Sequence, residues 1–221
     1  MYVTINDLIK TYRRRGKIHE VFSHQTLEIQ PGKFIAIVGR SGSGKTTFLH
    51  LLAGILAPSS GEIRYDGRLI SDLSEKEQAL FRNEKIGFIP QGNCLLNNFT
   101  VLDNVRLPLY LKKQSHQVAK ELAEVERLLK KLNLHDLADE YPKNLSGGEQ
   151  RRVMIARALI QKPKFILADE PTNDLDDLTK SEVLNLFKSV NQTGASIVMA
   201  THYKENLAAV DEIIQMTPTE A

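Results

Sequence analysis

The chain has 221 residues, enough to bury the core of one α/β domain with an insertion but cramped for two independent domains. Lys and Arg number 29 against 27 Asp and Glu, a formal charge of +2, so no large single-sign field calls for nucleic acid as a partner. Cys94 is the sole cysteine, which excludes an internal disulfide or a cysteine-based zinc site and fits a reducing cytosol.

Residues 1 to 38 read as strands. Val3 to Ile9 alternates, Thr26 to Gln30 alternates again, and Pro31-Gly32 is a turn before the apolar run Phe34-Ile35-Ala36-Ile37-Val38. Between the first two lies Tyr12 with the basic stretch Arg13-Arg14-Arg15-Gly16-Lys17, expected as a solvated loop. Helical spacing follows over Thr47 to Ala53, then Ala57 to Gly61 breaks the pattern, and Glu62 to Tyr65 with Asp66-Gly67 predicts a hairpin. Ile86-Gly87-Phe88-Ile89-Pro90 reads as a buried strand ending at Gln91. From about Val101 to Leu134 the character is helical, with Val118, Leu122, Val125, Leu128, Leu129 and Leu132 at three- and four-residue spacings: an inserted helical subdomain. A further helix comes after Gly147 and Gly148, and two buried strands run to Asp169-Glu170 and to Thr201-His202. Polar residues at strand ends are where open α/β sheets hold ligands. No apolar run is long enough to span a bilayer, and Met1 to Asp7 lacks the regions of a signal peptide. The chain is therefore expected to be soluble as made and to need another polypeptide for any place at a membrane.

Gly39-Arg40-Ser41-Gly42-Ser43-Gly44-Lys45-Thr46-Thr47 fits G-x-x-x-x-G-K-[ST] between a predicted strand and a predicted helix. The glycines let successive backbone N–H groups converge on one centre, and the new helix adds the positive end of its dipole. Lys45 would reach the β- and γ-phosphates of a nucleoside triphosphate, and the Thr46 hydroxyl would ligate the Mg²⁺ that bridges them.

Leu145-Ser146-Gly147-Gly148-Glu149-Gln150 makes the reading specific. As a bare sequence it is a helix N-cap with an acid in the first turn, and such a terminus is itself an anion site. On this hexapeptide and the phosphate loop the chain resembles the ATP-binding cassette family over essentially its whole length. The resemblance implies an α/β fold of the P-loop NTPase, RecA-like kind: a parallel-sheet core, an N-terminal antiparallel β subdomain, and an inserted α-helical subdomain at about 92–160 of a single domain 1–221. It implies ATP with Mg²⁺ as the ligand, held by Gly39 through Thr47, with Asp169 and Gln91 also on the metal. It implies Glu170 as the base that polarises water and His202 as the residue on the γ-phosphate. Tyr12 resembles the aromatic that stacks on adenine; Tyr2 in that role, or a packing role for Tyr12, stays open. Asn173-Asp174-Leu175-Asp176 resembles the loop that communicates across a dimer, though Asn173 and Asp174 depart from the commoner Ser-Ala.

In this family two copies close head to tail, so Ser146, Gly147, Gly148 and Glu149 of one would meet the nucleotide on Lys45 of the other. The homodimer would drive a separate integral membrane permease from the cytoplasmic face, docking at about Gly92 to Val105 through Asn93, Cys94, Leu95, Leu96 and Phe99, unless these fill the subdomain's own core. Ile89-Pro90-Gln91-Gly92-Asn93, Thr100-Val101-Leu102-Asp103-Asn104-Val105 and Leu167 to Asn173 resemble the group containing MacB and LolD, which implies efflux or export of lipoproteins, peptides or haem. An FtsE-like ATPase for cell-wall remodelling and an importer ATPase are the alternatives. A DNA-maintenance ATPase would need inserted heptads or zinc cysteines, a ribosome-acting protein a second cassette, and a GTPase an Asn-Lys-x-Asp; none is present.

Overall fold

A long antiparallel hairpin, β1 (Val3–Arg14) and β2 (Lys17–Ile29), begins the chain in a computed structural model that describes residues 1–14, 16–111, 118–173, 175–202 and 210–217. Most of the basic stretch expected as a loop is strand: Arg13 pairs with Ile18 and Arg14 with Lys17. The ladder slips between Ile5 and Leu8 and again near Lys10. Asp7 and His24 take left-handed backbone there, both with φ of 49°, and the Asp7 carboxylate meets His24 Nδ1 at 2.5 Å. That pairing holds the His24 imidazole above its usual pKa. β4 (Ser60–Tyr65) pairs with the other edge of β1, and β5 (Arg68–Leu69) closes a sheet of order β2-β1-β4-β5. The Asp66-Gly67 turn has φ of 47° and 82°, the primed geometry that a tight hairpin needs and that glycine supplies without strain.

The second sheet is parallel throughout, in the order β6-β7-β8-β3-β9, from β3 (Phe34–Val38), β6 (Ile86–Ile89), β7 (Phe165–Asp169), β8 (Ser196–Thr201) and β9 (Glu212–Gln215). Its strands are continuous apolar runs because both faces are covered. On β7, Phe165 and Leu167 face the core shared with α1 (Lys45–Leu52) and the antiparallel sheet. Ile166 and Ala168 face the core shared with α3 (Val101–Tyr110), α4 (Val118–Lys131), α5 (Gly147–Leu159) and α6 (Asp177–Asn191). The helical run expected from Val101 to Leu134 is thus two elements, with residues 112–117 outside the described set. A sixth helix, α2 (Glu75–Lys85), has no buried residue and starts on a capping box between Ser74 and Glu77.

Asn104 shows what the insertion spends on one loop. It is wholly buried; its Oδ1 accepts from the Leu96 N–H at 2.9 Å, and its Nδ2 donates to the carbonyls of Leu96, Phe99 and Thr100. Leucine is the same size and can do none of this. Asn104→Leu is expected to cost about 3 kcal/mol by stranding a buried donor and its neighbouring acceptors, read as an earlier midpoint in urea unfolding.

Candidate active site

Strand order assembles the site. β6, β7, β8 and β3 lie side by side and parallel, so the residues at and just past their carboxyl ends fall in one row: Gln91, then Asp169 and Glu170, then His202, then the loop Gly39 to Gly44. Gly42 and Gly44 are left-handed, with φ of 80° and 88°. A Cβ on Gly44 would also lie 2.5 Å from Val21 Cγ1, so β2 presses on the loop and glycine is required twice over. At Gly39 a Cβ would lie 2.5 Å from the Met216 carbonyl. Lys45, only 5% exposed, donates from Nζ to the carbonyls of Gly39 at 2.9 Å and Arg40 at 3.2 Å. Its burial pushes the ammonium below the usual lysine pKa, against the pull of Glu170 and Asp169.

The acids differ sharply. Asp169 ends β7 almost fully buried; burial raises its carboxyl, partly offset by a hydrogen bond from Thr46, and its Oδ2 has no partner. Glu170 sits in left-handed backbone, φ 47°, with its N–H donating to the Ala200 carbonyl at 3.0 Å. A non-glycine residue held there stores strain, of a kind that clusters in active sites. Both of its oxygens are engaged: Gln91 Nε2 donates to Oε2 at 2.8 Å, Asn173 Nδ2 donates to the same atom at 3.1 Å, and His202 Nε2 lies against Oε1. His202 Nε2 is also 3.4 Å from Lys45 Nζ, which ties the acid cluster to the phosphate loop.

A cleft of about 270 Å³ opens between these groups, walled by Ser41, Gly42, Lys45, Thr46 and Thr47 on one side and by Gln91, Glu170 and His202 on the other. Val21 of β2 also lines it, a contact that β-strand patterning gave no reason to expect. Asn173, whose role the sequence left open, is a direct partner of Glu170; Asp174 lies outside the described residues. Ser43 Oγ is buried beside the loop without a partner. Tyr12 stands on β1 opposite His19, 42% exposed, with Lys10 Nζ 5.1 Å from its ring centre, and is not part of the cleft wall. Tyr2 donates its N–H to Asp66, beside the β4–β5 turn.

The hexapeptide turn is elsewhere. Ser146 caps α5, its Oγ accepting the Glu149 N–H, while Glu149 Oε2 accepts from Ser146 N–H at 2.7 Å and Oγ at 2.8 Å. Those bonds hold the Glu149 carboxyl below the usual range. Ser146 and Gly147 are exposed, and a Cβ on Gly147 would meet nothing within 4 Å. None of the four residues lines the cleft. Of the residues expected at a docking surface, Asn93, Leu96 and Phe99 are exposed, whereas Leu95 is buried and Cys94 packs on Met154.

A protein-family profile described as ABC transporter matches residues 22–173, from β2 through the Glu170 turn. The chain belongs to the ABC transporter family. It is an ATPase of that family. It is 42% identical over 197 residues to the lipoprotein-releasing system ATP-binding protein LolD of Buchnera aphidicola, covering 89% of this chain and 86% of that one. It is 38% identical over 215 residues to the macrolide export ATP-binding/permease protein MacB of Rhodopirellula baltica, covering 97% of this chain and 31% of that longer one. The fold matches a dimeric post-hydrolysis state of the ATP-binding cassette MJ0796 bound to ADP and Pi, with a TM-score of 0.92, 34% identity, and coverage of 97% and 94%. The P-loop NTPase architecture expected from the motifs is therefore the one observed.

Proposed function

We propose that the chain is the ATP-hydrolysing subunit of an exporter, that two copies close head to tail around two ATP, and that a separate permease holds them at the cytoplasmic face of the membrane. One observation carries this. The cleft contains a complete phosphate loop and base, yet the family's signature turn, a second exposed helix N-terminus suited to an anion, contributes nothing to it. A site split across one chain is made whole by a second copy, and the MJ0796 structures are dimers. The names of the LolD and MacB relatives favour outward movement of lipoproteins or macrolide-like amphiphiles. No helix among the described residues is long and apolar enough to cross a membrane, which leaves that task to the permease.

In this reading the backbone N–H groups of Gly39 to Thr47 and the Lys45 ammonium hold the β- and γ-phosphates, while Ser146, Gly147 and Gly148 of the second copy, braced by Glu149, close on the γ-phosphate. Tyr12, exposed on the hairpin, offers its ring to adenine. The donor set fits Mg²⁺: Asp169 Oδ2 is a buried carboxylate oxygen without a partner, the Thr46 hydroxyl bonds the same carboxylate, and Gln91 lines the cleft that Thr46 lines. Among the described residues no three acidic, His or Cys side chains form a cage, as suits an ion that shares its coordination with phosphate oxygens and water. When bound, the ion would neutralise charge on the β- and γ-phosphates. Glu170 takes the proton as a water oxygen attacks the γ-phosphorus and the bond to the β-phosphate oxygen breaks. Its Oε2 accepts from Gln91 and Asn173 while Oε1 meets His202 alone, so Oε1 keeps a lone pair for that proton. His202, between Glu170 and Lys45, passes to the γ-phosphate.

Residues 92–160, with α3, α4 and α5, form the arm that answers to the permease. Leu96 and Phe99 stand exposed on the loop that Asn104 ties down, and a groove of about 220 Å³, walled by Leu107, Pro108 and Leu111 from the arm and by Phe88 of β6, lies where the arm meets the core. Leu96→Asp with Phe99→Asp should abolish co-purification with the permease from mild detergent while ATP still titrates as in the parent. Full retention of the permease by the double variant would remove this surface from the proposal.

A further inference from the structure

Helix α5 grips the loop that carries Gln91 at three points. Arg151, 6% exposed, donates from Nη1 to the Pro90 carbonyl at 2.9 Å. Gln150 Oε1 accepts from Asn93 Nδ2 at 2.6 Å, and Arg157 Nη1 donates to the Cys94 carbonyl at 3.0 Å. Between these anchors Gln91 reaches Glu170. The backbones are in contact below the loop as well: a Cβ on Gly87 would lie 2.6 Å from the Ala158 carbonyl oxygen.

Of the three, Arg151 is placed to matter most. The Pro90 carbonyl shares one rigid peptide plane with the Gln91 nitrogen, and the proline ring fixes φ on the other side. A displacement of that oxygen therefore moves Gln91 directly. A buried guanidinium is costly to leave without acceptors, so the bond resists being broken when the helix shifts. The same helix begins at Ser146 and Gly147, fewer than two turns from Arg151.

We propose that Arg151 is a positioning residue that couples the two nucleotide sites of the dimer: a nucleotide engaging the signature turn of one copy repositions Gln91, and through it Glu170, at that copy's own cleft. This rests on the head-to-tail reading above. Coupling of this kind makes each site's turnover depend on occupancy of the other.

The test is steady-state hydrolysis by the full chain over a range of ATP. Arg151→Met keeps the apolar stem and removes the donor, and Arg151→Lys keeps a cationic one. Arg151→Met is expected to lower kcat by about tenfold, hold half-saturating ATP within about twofold, and bring a Hill coefficient above unity down to unity, with Arg151→Lys recovering most of both. A purely structural role predicts loss of thermal stability without that split. Parent kcat and Hill coefficient in Arg151→Met, a parent coefficient of unity, or a rise in KM at constant kcat overturns the proposal. If Arg151→Met does not fold, Arg151→Leu, which likewise carries no donor, is assayed with the same expectation. Failure of the dimer reading shows separately, as a Glu170→Gln protein that stays monomeric with ATP.

Discussion

Glu170→Gln is expected to cut ATP hydrolysis by a factor of about 10³ while leaving ATP binding intact, since a positioned general base supplies about 10²–10⁴ of the rate. The substitution is close to isosteric. The amide oxygen can still accept from Gln91 and Asn173 at the Oε2 position, and the amide NH₂ can face His202, so the clamp around the side chain survives. Backbone strain at φ 47° is the same for either residue. The substitution removes the acceptor for the water proton and a negative charge facing the γ-phosphate. With cleavage blocked and that repulsion gone, the contacts to the intact triphosphate persist. Each charge-assisted bond is worth about 1.5–3 kcal/mol, so a handful of them hold two copies together. Light scattering with saturating ATP and Mg²⁺ should report twice the monomer mass, and a phosphate-release assay should be nearly flat. Parent-rate hydrolysis would remove Glu170 from the role of base, and a monomer under these conditions, even with the permease supplied, would remove the dimer.

Local motifs were legible and their assembly was not. Gly39 to Thr47 could be placed between a strand and a helix because its glycines, lysine and flanking apolar runs are contiguous, and the left-handed Gly42 and Gly44 bear this out. Gln91, Glu170 and His202 each stood visibly after an apolar strand, but that they converge on one carboxylate depends on the order β6-β7-β8-β3, which no local pattern encodes. Asn173 reaches Glu170 only because the chain turns back after a left-handed residue. Helix α2 went unread because it buries nothing, so periodicity had no stripe to detect, although Ser74 and Glu77 spell a capping box. β9 is four residues on a sheet edge with only Ile214 half-covered, too short to alternate convincingly. The basic stretch Arg13 to Lys17 looked like a loop on charge alone, yet cross-strand pairing carried β1 and β2 through most of it. The family resemblance grouped Leu95 and Cys94 with Leu96 and Phe99; Leu95 is buried and Cys94 packs on Met154, while Asn104 holds the loop backbone at Leu96 and Phe99 with both side chains exposed.

Lys45→Ala should lower ATP affinity by about 10² or more, a loss in binding itself rather than in turnover alone. In the cleft Lys45 Nζ already makes two hydrogen bonds to the Gly39 and Arg40 carbonyls, which keep the loop curled. Truncation removes both ties and the only lysine or arginine that is buried in the cleft wall among the described residues. Two penalties then add: the phosphates lose a desolvated cation at close range, and the loop loses the ties that hold it curled before they arrive. Arginine does not restore the first, because its planar fork is too wide for a chamber bounded by the Gly39 and Arg40 carbonyls and by His202, 3.4 Å away. A calorimetric or fluorescent-nucleotide titration separates the outcomes. Parent affinity in Lys45→Ala would mean that the backbone N–H groups and the helix terminus hold the polyphosphate unaided, and that Lys45 serves only to shape the empty loop.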